Sequence, residues 1–169
     1  MRTREATLPD AEQIHELIST HYETGVLLPR TFPEICENVR DFMVVEEGGV
    51  IIGCGALHLY GPHLAEVRSI AVHPSHQGKG AGMRVVKALL AQAEKHEVTG
   101  VCLFTRIPEF FSRLGFSVVT REDLPDKLYK DCCVCPKLRN CDEVAMVRGS
   151  LPKIAILPQP NSALVKLQA

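Results

Sequence analysis

Ten residues in the middle of the chain have the composition of an anion cradle. They read His73-Pro74-Ser75-His76-Gln77-Gly78-Lys79-Gly80-Ala81-Gly82 and lie between an apolar run ending at Val72 and a helical pattern of apolar residues beginning near Val85. Gly78, Gly80 and Gly82 let the backbone turn tightly and bring its N–H groups against a ligand. The helix behind them adds positive partial charge at its N-terminus. Together these favour a polyphosphate, with Lys79 either adding a point charge or facing solvent. A turn whose glycines serve geometry alone is the competing reading. Two familiar nucleotide motifs do not fit: a P-loop needs Gly-Lys-Ser/Thr, but Lys79 precedes Gly80, and the glycines fall as G-x-G-x-G where the dinucleotide fingerprint needs G-x-G-x-x-G.

A second group with chemical potential is the cysteine cluster. Of seven cysteines, Cys36, Cys54 and Cys102 are scattered through apolar segments, while Cys132, Cys133, Cys135 and Cys141 crowd into ten residues. Cys132-x-x-Cys135 has the spacing of a metal knuckle, and Cys133, Cys141 or Asp142 could complete a zinc site, although no second paired motif exists. An odd cysteine count, with no apolar leader at the N-terminus, argues against a disulfide framework. A structural zinc, a redox pair and reduced, structurally placed thiols all stay open. His58, His63, His73 and His76 show no ligand-like spacing.

The elements that must position these groups follow from periodicity. A strand is expected over Arg2–Thr7, then a helix opened by Leu8-Pro9-Asp10 with Ile14, Leu17 and Ile18 on one face. A loop over Tyr22–Pro33 leads to a second helix near Glu34–Arg40. Phe42–Val45 and Val50–Leu59 form a hairpin about Glu46-Glu47-Gly48-Gly49. Leu64–Val72 is a strand that places Glu66, Arg68 and Ile70 on one face. After the glycine loop comes a helix to about His96, buried through Val85, Val86, Leu89, Leu90 and Ala93. A strand at Val101–Thr105, a short helix at Pro108–Leu114, and strands at Phe116–Val119 and Glu143–Arg148 complete the pattern. This predicts an α/β fold, a mixed sheet with helices on both faces.

With 169 residues, 46% of them hydrophobic, the chain supports one domain, residues 1–149, followed by a Pro-containing tail, 150–169. The tail carries Pro152, Pro158, Pro160, Ile154, Ile156 and Leu157, and is expected to pack on something, such as the neighbouring subunit of a homodimer. A net charge of −1 gives no basic field for nucleic acid. No stretch approaches the ~20 apolar residues of a membrane span, so a cytoplasmic protein is expected.

Gln77-Gly78-Lys79-Gly80-Ala81-Gly82, following Ile70-Ala71-Val72-His73-Pro74, resembles the Q/R-x-x-G-x-G/A signature of the GCN5-related N-acetyltransferase superfamily. Phe110-Phe111-Ser112-Arg113-Leu114-Gly115-Phe116 resembles its second helix with a Leu-Gly-Phe ending. The resemblance covers about residues 2–120. It implies a pair of parallel strands splayed into a V, with acetyl-CoA as cosubstrate. The pantetheine would pair with Ile70, Ala71 and Val72, and the pyrophosphate would take amides from Gln77, Gly78, Lys79, Gly80, Ala81 and Gly82. An amine would attack the thioester directly, without metal or acyl-enzyme.

That attack needs a neutral amine, so a base is required, and Glu66, on the strand lining the V, is the candidate; pairing with Arg68 or a surface charge is its alternative fate. Many superfamily members place a tyrosine acid where this chain has Phe111, leaving Tyr129, water or unaided thiolate departure. Leu27-Leu28-Pro29-Arg30, Gly53–His58, Ala65–Val72, Phe104-Thr105-Arg106 with Glu109-Phe110-Phe111, and Asp123-Leu124-Pro125 with Lys130 resemble the N-acetylglutamate synthases, in a short form without the amino-acid-kinase domain of the long ones. This implies L-glutamate as acceptor in arginine biosynthesis, and puts arginine feedback in doubt. Two substrate carboxylates need cationic anchors, for which Arg30 stands first, then Arg68, Arg106 and Lys130. Another small amine as acceptor, or a non-catalytic acyl-CoA-binding or metal-sensing module, are the alternatives.

Overall fold

Alternating apolar residues punctuated by glycine pairs fold into consecutive strands in the computed structural model, which describes residues 1–151. The tail beyond Leu151 lies outside the described residues, and with it the expected packing on a neighbouring subunit. Seven strands are formed: β1 (Arg2–Glu5), β2 (Phe42–Glu47), β3 (Val50–Gly61), β4 (Leu64–Val72), β5 (Gly100–Thr105), β6 (Ser117–Val118) and β7 (Val144–Gly149). Five helices accompany them: α1 (Ala11–Glu23), α2 (Phe32–Glu37), α3 (Ala81–Lys95), α4 (Pro108–Ser112) and α5 (Pro125–Lys130). The sheet order is β1-β2-β3-β4-β5-β7-β6. Gly48 and Gly49, at φ 61° and 83°, make the tight β2–β3 turn that only residues tolerant of positive φ adopt readily.

The β4–β5 pair is parallel and is joined only at Ala65–Val101 and Glu66–Cys102. Beyond those rungs the strands part, as the resemblance implies. β4 is also bulged. Cys54 pairs with Ala71 and Ala56 with Arg68, so Ser69 and Ile70 both stand opposite Gly55. Ser69 takes φ 54°, unusual for a side chain in a strand. The extra residue reverses the alternation. Val67, Ile70 and Val72 therefore face the α3 side, and the expectation that Glu66, Arg68 and Ile70 share a face is corrected: Ile70 points the other way.

α3 packs one face of the sheet through Val85, Val86, Leu89, Leu90 and Ala93, each worth roughly 1–3 kcal/mol of burial for its larger members. Its approach is close. A Cβ on Gly55 would stand 2.7 Å from Val85 Cγ1, which is why β3 has no side chain there. The opposite face is covered by Ile14, Leu17 and Ile18 of α1 and Ile35 of α2. Leu124, at the start of α5, packs with Leu64, Cys102, Ala145 and Val147.

Several boundaries differ from the sequence reading, β1 ending at Glu5 and β3 running to Gly61 among them. α2 begins at Phe32 rather than Glu34, because Thr31 and Glu34 form a capping box and Pro33 suits the first turn. β6 is only two residues long. α5 was not anticipated, since Pro125–Lys130 is too short to show a helical period.

Candidate active site

The glycine loop ends in a left-handed Gly80, φ 88°, which caps α3, with Gly78 at φ 73° before it. A Cβ added to either would meet nothing within 4 Å, so these glycines border open space. The amides of Gly78, Gly80, Ala81, Gly82 and Met83 reach no backbone carbonyl among the described residues, leaving a fan of donors at a helix N-terminus. Gln77 turns inward, its Nε2 donating to Val72 O at 3.4 Å, and His21 of α1 contacts the same carbonyl at 2.9 Å through Nε2.

A cleft of about 1200 Å³ runs from this loop into the gap between β4 and β5. Gln77, Gly78, Gly80 and Gly82 border one end, Val67, Ile70, Val72, Leu103 and Thr105 its walls. Because β5 leaves β4 after Glu66, the backbone of Val67–Val72 has no strand partner on that side. Lys79 and Ala71 lie outside the lining; Ala71 and Ala81 are buried in the two cores. Ala81 can contribute only its amide.

Glu66 is 3% exposed and does not border the cleft. Its Oε1 lies 2.7 Å from Lys127 Nζ, and its Oε2 takes a contact from the Tyr60 hydroxyl at 2.9 Å. Asp131 joins the same cluster, 2.6 Å from Tyr60 Oη and 3.2 Å from Lys127 Nζ. Burial opposes the Lys127 charge, but the two carboxylates outweigh it and hold the ammonium above the ordinary lysine range. Burial likewise opposes the Asp131 charge, yet hydrogen bonding from Tyr60 and the charge of Lys127 bring its carboxyl below the ordinary range. Burial and the carboxylates drive the Tyr60 phenol up, so it stays protonated. The expected aim of Glu66 at an incoming amine is thus corrected: β4 turns its side chain toward α5.

The four basic candidates separate. Arg68 borders the cleft and stands 3.8 Å from Glu66 and 3.7 Å from Asp131. Arg30 lies in a neighbouring hollow of about 40 Å³ that Arg68 also borders, its Nε 3.4 Å from Ser69 Oγ in the bulge. Arg106 borders the cleft but is committed: Nε to Asp142 Oδ2 at 2.7 Å, NH1 to Val26 O at 2.8 Å and to Gly25 O at 3.4 Å. Lys130 is exposed, 5.6 Å above the Tyr60 ring and outside the lining.

Phe111 is buried against Phe110 and Phe116 and borders the cleft, offering no hydroxyl. Tyr129 is 70% exposed on α5 and borders no part of the cleft, so it does not stand in for the missing acid.

All seven cysteines are free thiols. Among the described residues no three His, Cys, Asp or Glu side chains are grouped to hold a metal, so the zinc expectation for Cys132, Cys135 and Cys141 gains no support. Cys132 and Cys135 bracket a 3-10 turn, and Cys133 Sγ instead contacts Tyr129 O at 2.8 Å. The turn leads into the segment that brings Lys137, Asn140, Asp142 and Glu143 to the cleft.

Lys137, Asn140 and Glu143, with His21, Tyr60, Lys127 and Asp131, were missed in the sequence, and Asp142 was named there only as a zinc ligand. Tyr60 lies two residues from His58 on β3, opposite the Glu66 region, so strand pairing could have found it. His21 lies in the last turn of α1, outside the apolar stripe that the helical period marks, and the rest come from loops and a six-residue helix with no period to read.

Parallel strands that part beside an anion-binding helix N-terminus are the framework of the GNAT acetyltransferases. Residues 11–116 match the Acetyltransferase (GNAT) family, and the chain belongs to it; it is an N-acetyltransferase. It is 37% identical over 145 residues to an uncharacterized N-acetyltransferase of Chlorobaculum tepidum, covering 86% of this chain and 94% of that one. An amino-acid acetyltransferase of Mycobacterium tuberculosis is 32% identical over 133 residues, 77% of this chain and 76% of that one. Among solved structures, N-acetylglutamate synthase from Neisseria gonorrhoeae, complexed with coenzyme A and N-acetyl-glutamate, is similar with a TM-score of 0.78 at 25% identity, over 88% of this chain and 34% of that longer one. A Mycobacterium tuberculosis protein in complex with CoA and NLQ matches at TM-score 0.75 and 30% identity, over 89% of this chain and all of that one.

Proposed function

We propose that the protein transfers acetyl from acetyl-CoA to the α-amine of L-glutamate, as an N-acetylglutamate synthase serving arginine biosynthesis in the cytoplasm. The observation that carries this reading is the polarity of the cleft: free amides at the α3 end, and away from it the basic side chains Arg68 and Lys137 in the lining, with Arg106 already paired to Asp142. One end suits a diphosphate, the other an acceptor with carboxylates. Relatives named amino-acid acetyltransferase and the synthase solved with N-acetyl-glutamate support it.

In this reading the cofactor's pantetheine takes the strand position that β5 vacates along Ile70, Ala71 and Val72. Its pyrophosphate lies on the amides from Gln77 to Gly82. Arg68 holds one acceptor carboxylate, while Arg30 supports the bulge through Ser69. The neutral amine attacks the thioester carbonyl, the tetrahedral centre collapses, and the C–S bond breaks to release the thiolate. Glu66, at the last rung before the strands part, stays the proposed base, acting at a distance from the amine rather than by contact. With Phe111 in the wall, a water rather than a phenol protonates the thiolate.

Free-CoA release measured over a panel of glutamate, glutamine, aspartate and a polyamine tests this. Glutamate as the best acceptor is the expected result. A polyamine turning over while glutamate fails would end the synthase reading, and no turnover with any amine would favour an acyl-CoA-binding module.

A further inference from the structure

Arg106 NH1 and Lys137 Nζ converge on a single carbonyl oxygen, Gly25 O, at 3.4 Å and 3.3 Å. Two cations drawn to one neutral acceptor repel each other, and such a pair is stable only with anions nearby. Two carboxylates stand near them, Asp142 and Glu143. Asp142 holds the Arg106 guanidinium at 2.7 Å, and neither carboxylate is within ion-pair distance of Lys137 among the described residues. Lys137 is half-buried, borders the cleft, and has two further N–H donors without a partner among the described residues.

The remaining charges of the cleft place this point in context. Arg113, just after α4, also borders the cleft, Arg68 sits between Glu66 and Asp131, and Glu143 has no ion pair among the described residues. Lys137 therefore has no carboxylate of the chain to itself. A cationic group held partly out of water by a backbone contact, with free donors toward a cavity, is arranged for an anionic ligand.

Resting on the acceptor reading above, we infer that Lys137 determines acceptor specificity by pairing with the side-chain carboxylate of the amino acid, with Arg106 as the strut that positions it. Arg106 joins the loop at Gly25–Val26 to Asp142 through Nε and NH1. The segment between Cys135 and β7 is then the wall that tells an acidic acceptor from its neutral amide.

The test compares L-glutamate with L-glutamine as acceptors for the intact chain and for Lys137→Met and Lys137→Arg, with acetyl-CoA affinity measured in parallel. Met keeps the length and removes the charge. K137M is expected to raise the glutamate KM about tenfold or more, to change the glutamine KM little, and to leave acetyl-CoA affinity intact. K137R is expected to retain the glutamate preference. An unmoved glutamate-to-glutamine ratio in K137M overturns the assignment, as does K137R behaving like K137M. If the unaltered protein binds acetyl-CoA but acetylates neither amino acid, the acceptor reading itself falls, a result distinct from failure of Lys137 alone.

Discussion

At Tyr60 a single hydroxyl hydrogen faces two carboxylate oxygens, Glu66 Oε2 at 2.9 Å and Asp131 Oδ2 at 2.6 Å, and it can serve only one at a time. Lys127 makes the pair tolerable by donating to both acids. Lys127→Met should leave buried Glu66 and half-buried Asp131 with only Arg68 and Tyr60 as partners and destabilise the fold by ~3 kcal/mol, read from urea denaturation. Glu66→Gln should lower kcat in the CoA-release assay; an unchanged kcat would shift the base to Glu143, which borders the cleft directly. His58 offers a separate readout. Its Nε2 is buried without a partner, and burial, then Arg68 and Lys130, depress its pKa to about 4 from 6.5. The unfolded chain thus takes up this proton first. The stabilisation from neutral His58 is complete above pH 6.5, is lost as pH falls toward 4, and changes no further below that. His58→Phe should flatten that part of a stability-against-pH curve, measured by urea midpoints.

The glycine loop and the bulge are features of elements, and they were unequally legible. Gly78, Gly80 and Gly82 announced the loop because only glycine combines positive φ with close backbone approach, and at Gly80 φ is 88°. Gly80→Val should therefore raise the acetyl-CoA KM at least tenfold, with the fold retained in circular dichroism, because the new side chain would occupy the open cradle. The strands and α3 were legible for a different reason: their apolar periods are long enough to count. The bulge at Ser69 was not. One extra residue leaves no mark on an alternating pattern, yet it reversed Ile70 and separated it from Arg68. The same limit hid α5, and with it the partner that turns Glu66 from the cleft. Glu66, Arg68 and the glycine loop could be named from residue types; their directions depended on pairing registers that no local pattern encodes.

Across the whole molecule the sheet consists of two blocks, β1–β4 and β5–β7, which share only the rungs at Ala65–Val101 and Glu66–Cys102. Ligand that bridges the blocks should stabilise the native state by about 2.7 kcal/mol at a hundredfold excess over Kd, a rise visible in a thermal melt with CoA. A cofactor lying along this two-rung junction would act as a removable eighth strand beside β4. Amide exchange at Val67–Val72 of β4 should then slow on CoA addition far more than exchange in β2, which is already flanked by β1 and β3.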